Sequence, residues 1–167
     1  MRLFLLACLS FVASSAQAQY SLEGGILWTG PGEPFAQASV SGVQPLGATF
    51  YVGTRASYAT ALFDVSVDLD PSGSRPPATA DQLLTLGLLA GANLDAEGIG
   101  LRIAAGPAYV RTVQSYGTDL DEIGGAVEVA VGTRQLLPFL DLEAGLHLTR
   151  TRSNDQRGIR LGARFQL

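Results

Sequence analysis

The sequence predicts an all-β protein, an eight-stranded antiparallel up-and-down transmembrane β-barrel. Three observations carry that expectation. Eight segments alternate in polarity with a period of two, the periodicity of a strand with two different faces. Across these segments one face is aliphatic and the other combines glycine with charge. Beyond the first dozen residues no stretch stays apolar for the 18 residues that a membrane-spanning helix requires.

In chain order the expected strands are Tyr20–Thr29, Ala36–Gln44, Ala48–Thr60, Gln82–Leu94, Ile99–Thr112, Glu122–Arg134, Pro138–Arg150 and Arg157–Leu167. Most have the roughly 9–11 residues of a tilted strand that crosses a bilayer. Ala36–Gln44 has the weakest pattern, its apolar face being only Ala36, Ala38 and Val40. Pro45–Gly47, Asp95–Gly98 and Gln135–Leu137 read as tight turns. Gly30–Phe35, Ala61–Asp81, Val113–Asp121 and Thr151–Gln156 read as longer loops at the opposite end. Short turns at one end and long loops at the other are the pattern of membrane barrels.

One face carries Leu22, Ile26, Trp28, Leu86, Leu88, Ile103, Val127, Val129, Leu142, Leu146, Leu148, Ile159 and Leu161, with no charge in mid-strand. The other carries Gly25, Gly53, Gly91, Gly106, Gly132, Gly145 and Gly162 beside Glu23, Arg55, Arg102, Glu128, Arg134, Asp141, Glu143, His147, Arg160 and Arg164. Glycine weakens a strand, so its concentration on one face needs a cause. The lumen of an eight-stranded barrel is just wide enough for side chains, and glycine leaves room for long ionic ones. The polar face is therefore assigned to the lumen and the aliphatic face to lipid. Tyr20, Phe50, Phe139 and Phe165 fall near the turn-side ends. Trp28, Tyr58 and Tyr109 fall near the loop-side ends, as two interfacial belts would require.

The start of the chain adds an address. Met1-Arg2 precedes an apolar run from Leu3 to Val12, and Ala16-Gln17-Ala18 has the small-x-small form of a cleavage site. Residues 1–18 are expected to be a signal peptide and 19–167 the barrel domain. A competing lipoprotein reading at Leu5-Leu-Ala-Cys8 leaves too little apolar sequence before the cysteine. Cys8 is the single cysteine, so the mature chain is expected to hold no disulfide, zinc site or thiol nucleophile. Charged residues make up only 16%, against roughly 25% in soluble domains. All 11 basic residues are arginine, and the net charge of −4 leaves no basic footprint for nucleic acid.

The last strand reads Arg160-Leu-Gly-Ala-Arg-Phe-Gln-Leu167. Its Arg160, Gly162, Phe165 and Leu167 resemble the terminal assembly signal of outer-membrane β-barrels, with leucine in place of the usual final aromatic. With the topology, this makes the mature chain similar to the small OmpA/OmpX-type barrel group. The resemblance implies location in the bacterial outer membrane as a monomer. It also implies outer-membrane lipids, the barrel-assembly machinery and periplasmic chaperones as partners. The group spans adhesins, receptors, structural proteins and enzymes, so activity is not implied.

Two constellations offer chemistry. His147, Thr149 and Glu143 share the inward face and hold the residue types of an acyl-transfer apparatus. His147-Leu-Thr149 partly resembles the His-x-Ser pair of lipid A deacylases, but parity turns it away from the acyl chains. Asp68-Leu-Asp70-Pro-Ser-Gly73 resembles the start of a calcium loop, but Thr79 stands where the bidentate glutamate belongs. Neither is expected to act, and no cofactor or metal is expected. A soluble lipocalin-like ligand-binding barrel is the remaining alternative; it would reverse the faces and need a more highly charged, lysine-bearing exterior.

The ionic lumen is expected to be structural, with signs nearly balanced and the pore filled. An antiparallel hairpin through Thr151–Gln156 is expected to set Glu143 opposite Arg164 and His147 opposite Arg160. Arg164 would then lie between Glu143 and Glu23 where the first and last strands meet. The exposed loops are expected to carry function in an envelope-structural, adhesive or receptor role.

Overall fold

The computed structural model describes residues 19–29, 33–62, 80–96, 99–114, 118–133 and 140–166. The expected leader, the acidic loop segment 63–79, Arg134 and Leu167 lie outside the described residues, as do Pro138 and Phe139. The strands are β1 Gln19–Thr29, β2 Glu33–Leu46, β3 Phe50–Ala61, β4 Ala80–Ala96, β5 Ile99–Gln114, β6 Leu120–Thr133, β7 Leu140–Arg150 and β8 Asp155–Gln166. Each pairs antiparallel with its sequence neighbours, and β1 pairs with β8 from Gln19↔Gln166 to Thr29↔Gln156. The sheet is thus a closed barrel of eight strands with no free edge.

Polarity alternation explains the wall. Leu22, Ile26, Val40, Leu88, Ile103, Val127, Val129, Leu146, Leu148, Ile159 and Leu161 are exposed on the outside. Between them in sequence, Glu23, Arg55, Arg102, Glu128, Glu143, Arg160 and Arg164 are buried in the lumen. The faces are as assigned from the sequence. Among the described residues outward charge begins only at the loop-side rim, with Arg111, Asp121, Arg150, Asp155 and Arg157.

Two expectations about connections are corrected. The loop-side connections are not uniformly long: β1–β2 leaves residues 30–32 and β7–β8 leaves 151–154, so the asymmetry rests mainly on 62–79. The β7–β8 loop is also two residues tighter than expected, which shifts its register. Arg150 pairs with Asp155, Asp141 with Arg164, Glu143 with Gly162, Gly145 with Arg160 and His147 with Gly158. The cause is local. The Thr151 amide donates to the Asn154 carbonyl at 2.8 Å, and the Asn154 amide donates to Thr151 Oγ1 at 3.0 Å. These bonds close a four-residue loop and leave Asp155 and Gln156 free to extend β8. On the turn side, Gly47 takes φ +91° in the β2–β3 turn, a conformation suited to glycine. The Asn93 amide donates to the Thr49 carbonyl at 2.7 Å and ties that turn to β4.

The lumen is also less polar than the sequence reading allowed. Leu27, Phe35, Ala59 and Leu83 form a buried cluster toward the loop side. Val43, Tyr51, Leu89 and Ala104 form a second one toward the turn side. Strand β2 is longer than expected at both ends: Phe35, an inward apolar residue, belongs to the strand and not to a loop, and Pro45 and Leu46 extend it into the expected turn.

Candidate functional site

Between the two apolar clusters lies a layer of paired charge. Glu23 on β1 is its centre. Arg55 from β3 donates to Glu23 Oε2 and to Glu128 Oε1 of β6. Arg160 from β8 closes the circuit, with Nε 3.1 Å from Glu23 Oε2 and Nη2 donating to Glu128 Oε2 at 3.1 Å. Glu23, Arg55, Glu128 and Arg160 therefore form a ring in which each charge touches two of opposite sign.

A branch leaves this ring toward the turn side. Arg102 of β5 lies 3.7 Å from Glu23 Oε1 and donates to Glu143 Oε1 of β7. Glu143 Oε2 in turn accepts from Arg164 of β8. Six of the eight strands supply these charges. Strand β2 supplies hydroxyls instead: Ser39 donates to Glu23 Oε2 at 3.3 Å, and Ser41 shares a 2.6 Å hydrogen bond with Ser21. Ser21 itself donates to Glu23 Oε1 at 3.0 Å.

The sum of charge is informative. Three carboxylates face four guanidiniums, and half-buried Asp141, opposite Arg164 in register, brings the acids to four. A balanced, mutually paired set is what burial demands, because an isolated ion in low dielectric is far costlier than a paired one. An ion-selective constriction would instead present one sign.

Most of the expected lumen residues are brought together: Glu23, Arg55, Arg102, Glu128, Glu143, Arg160 and Arg164 join one network. The expected Glu143–Arg164–Glu23 bridge is corrected. Arg164 pairs with Glu143 despite the two-residue shift because its side chain is long. Glu23 is instead served by Arg55, Arg102 and Arg160. His147 stands apart from the pairs, and the expected pairing opposite Arg160 is replaced by Gly158. Its ring lies over Gly158, where a Cβ would overlap it. Neither ring nitrogen has a hydrogen-bond partner among the described residues. Thr149 is buried nearby in sequence but makes no bond to it, and Glu143 is committed to two arginines. The groups needed for a nucleophile, base and orienting acid are present without their mutual geometry.

The glycines have the role the sequence suggested. A Cβ on Gly162 would overlap the side chain of Glu23, and one on Gly145 would sit 2.9 Å from Arg160 Nε. A third case was not foreseen: Gly91 accommodates Tyr51, whose ring lies 6.0 Å from the Arg102 guanidinium carbon. Tyr51 lies outside the expected lumen set, which was drawn from charged residues, His147 and glycine. Its parity with Arg55 was the available signal.

At the loop-side rim a second, partly buried polar cluster joins β6 to the β7–β8 loop. Glu122 Oε2 accepts from Ser153 at 2.6 Å and from Thr151 at 2.6 Å. The two hydroxyls, Ser153 first, hold the carboxyl below its ordinary range. Nearby, Tyr109 donates to Asp121 at 2.6 Å and Arg111 to Asp119 at 2.7 Å, bracing the β5–β6 connection.

No protein-family model matches this chain, and no curated protein is significantly similar to it. Solved structures are similar over nearly the whole chain. Neisserial surface protein A shares 15% identity at a TM-score of 0.66, covering 92% of this chain and 98% of that one. The attachment invasion locus protein Ail of Yersinia pestis shares 12% at 0.64, covering 90% and 98%. The N-terminal β-barrel domain of Pseudomonas aeruginosa OprF shares 11% at 0.61, covering 92% and 98%. The likeness lies in strand number, closure and topology, and on that ground the chain has the fold of the small eight-stranded outer-membrane β-barrels.

Proposed function

We propose that this chain is a monomeric integral protein of the bacterial outer membrane. In this reading it is exported by the leader 1–18, assembled through its C-terminal strand, and acts at the cell surface through its loop-side end. The observation that supports this best is the inversion of the wall: aliphatic residues exposed all round, ion pairs buried within. Water-soluble folding would leave that exterior as one continuous apolar patch, far beyond the few hundred Å² that soluble monomers expose. Lipid removes the cost, and closure leaves no unpaired strand edge in the hydrocarbon.

The balanced ion-pair layer between two apolar clusters favours a sealed lumen over a general pore. The unassembled state of His147, Thr149 and Glu143 favours a non-enzymatic role. That directs function to the exterior, where the connection 62–79 is the longest and carries Asp64, Asp68 and Asp70. An adhesive, receptor or envelope-structural role through this loop is the reading adopted. The similarity to an attachment protein is consistent with it.

The test is fractionation combined with surface proteolysis. The protein is expected in the outer-membrane fraction, resistant to alkaline extraction. Protease added to intact cells is expected to cut within 62–79 and leave the barrel. Recovery in the soluble periplasmic fraction would contradict the proposal.

A further inference from the structure

All outward-facing arginines of the described strands lie at the loop-side rim, but they differ in their partners. Arg111 pairs with Asp119 at 2.7 Å, and Arg150 lies 3.3 Å from Asp155. Arg157 has no carboxylate partner among the described residues. It stands on the exposed face of β8, with Trp28 of β1 and Leu148 of β7 as its partners in register. Beneath it an open groove of about 520 Å³ runs over β6, β7, β8 and β1, floored by Val127, Val129, Leu146 and Ile159; the self-paired Arg150 and Asp155 share its charged rim and leave Arg157 as the net positive charge there.

The combination is selective. The floor is continuous with the aliphatic band, so an occupant that fills it must present hydrocarbon. Arg157 at its upper end requires an anion, and a guanidinium suits phosphate through paired N–H donors. The tryptophan beside it is the residue type that sits at headgroup level. A free phosphate would leave the floor uncovered, and an uncharged lipid would leave the guanidinium unmatched.

We propose that this groove holds a phosphate-bearing anionic lipid of the loop-side leaflet, its chains on the β6–β7–β8 wall and its phosphate on Arg157. The site rests on the membrane reading above. It gives the barrel one preferred lipid-binding side, opposite in character to the self-paired rim around Arg111.

Trp28 is the single tryptophan and reports on this groove directly. The protein is refolded into phosphatidylcholine vesicles containing either brominated phosphatidylglycerol or brominated phosphatidylcholine at the same mole fraction. Trp28 quenching then gives the relative association of the two lipids. The expected preference for the anionic lipid is about fivefold, the effect of one arginine at an anionic surface. Arg157→Gln should abolish it, Arg157→Lys should keep a preference, and Arg111→Gln should leave it unchanged. Equal quenching by both lipids in the unaltered protein overturns the site while leaving the membrane reading intact. A preference that survives Arg157→Gln, or one lost equally in Arg111→Gln, also overturns it. Absence of quenching by either lipid sinks both the site and the membrane reading.

Discussion

Glu23 and Gly24 are neighbours in sequence on opposite walls of the same strand. Glu23 is buried at the centre of the lumen network, whereas Gly24 is exposed on the outer face, where its nearest non-neighbour atom would lie 3.8 Å from an added Cβ. The same contrast runs around the barrel. Inside, charge is tolerated because every carboxylate of the central layer is shared by at least two arginines. Outside, charge is absent among the described residues until the loop-side rim. The difference teaches that this fold is held by two solvents. The lumen supplies its own polar partners, and the exterior requires an environment that needs none.

The contrast is broken most severely by removing the centre of the network. Glu23→Ala strips a partner from Arg55, Arg102 and Arg160 at once. It is expected to cost about 3–5 kcal/mol, the penalty of leaving buried charge uncompensated. Urea unfolding in lipid vesicles, followed by Trp28 fluorescence, measures it. A loss below about 1 kcal/mol would place the Glu23 pairs with ordinary surface ion pairs.

The opposite insult is a charge placed outside. Leu146 lies near the middle of β7 and is 59% exposed, so Leu146→Arg is expected to cost about 2–4 kcal/mol in a bilayer. Leu142 lies only two residues from the turn-side start of β7. Leu142→Arg is therefore expected to cost less, toward the roughly 0–1 kcal/mol found near an interface. The same unfolding assay checks the gradient. Equal and negligible effects at both positions would mean that the exterior faces water.

Adjacent glycines sharpen the comparison further. A Cβ on inward Gly25 would overlap the Ile159 carbonyl oxygen of β8, and backbone has little room to yield. Gly25→Ala should cost about 1–3 kcal/mol, as other overpacking substitutions do. Gly24→Ala meets only an ordinary contact with the Gln37 carbonyl oxygen and should stabilise the strand by about 0.5–1 kcal/mol. Opposite shifts of the unfolding midpoint are the expected result.

The smallest effect is expected at the loop-side rim. The Glu122 carboxyl is held below its ordinary value of 4.5 by the hydroxyls of Ser153 and Thr151. A depressed folded pKa gives stability that is complete above the unfolded value and is lost as pH falls through the folded one. The β7–β8 loop should accordingly loosen below about pH 4.5. Amide exchange at Asn154, corrected for intrinsic rates, should rise in that range, and Glu122→Gln should remove the pH dependence.

How much of this was legible in the sequence follows from what each signal can reach. Strand number and face assignment were readable because period-two alternation is local. The inward positions of Glu23, Arg55, Arg102, Glu128, Glu143, Arg160 and Arg164 followed from parity alone. Their partners did not. Cross-lumen pairs such as Arg55 with Glu128 join non-adjacent strands through long side chains, and no spacing in sequence encodes that reach. The β7–β8 register failed because the Thr151 and Asn154 bonds tighten the loop by two residues, which preserves parity and so left no trace in the pattern. Phe35, Val43, Tyr51 and Leu83 were hidden by a different assumption, that an ionic lumen is ionic throughout. The Arg157 groove was invisible because it depends on which rim arginines lack acids in space.

The measurement that bears most directly on the two-solvent account is the environment of the outer wall itself. A nitroxide attached to cysteine at position 146 in the vesicle-reconstituted protein can be relaxed by molecular oxygen, which concentrates in hydrocarbon, or by a water-soluble nickel chelate. The account predicts strong relaxation by oxygen and little by the chelate at 146. The balance should tilt toward the chelate for a label at the rim position 155. Equal access of the chelate to positions 146 and 155 would contradict it.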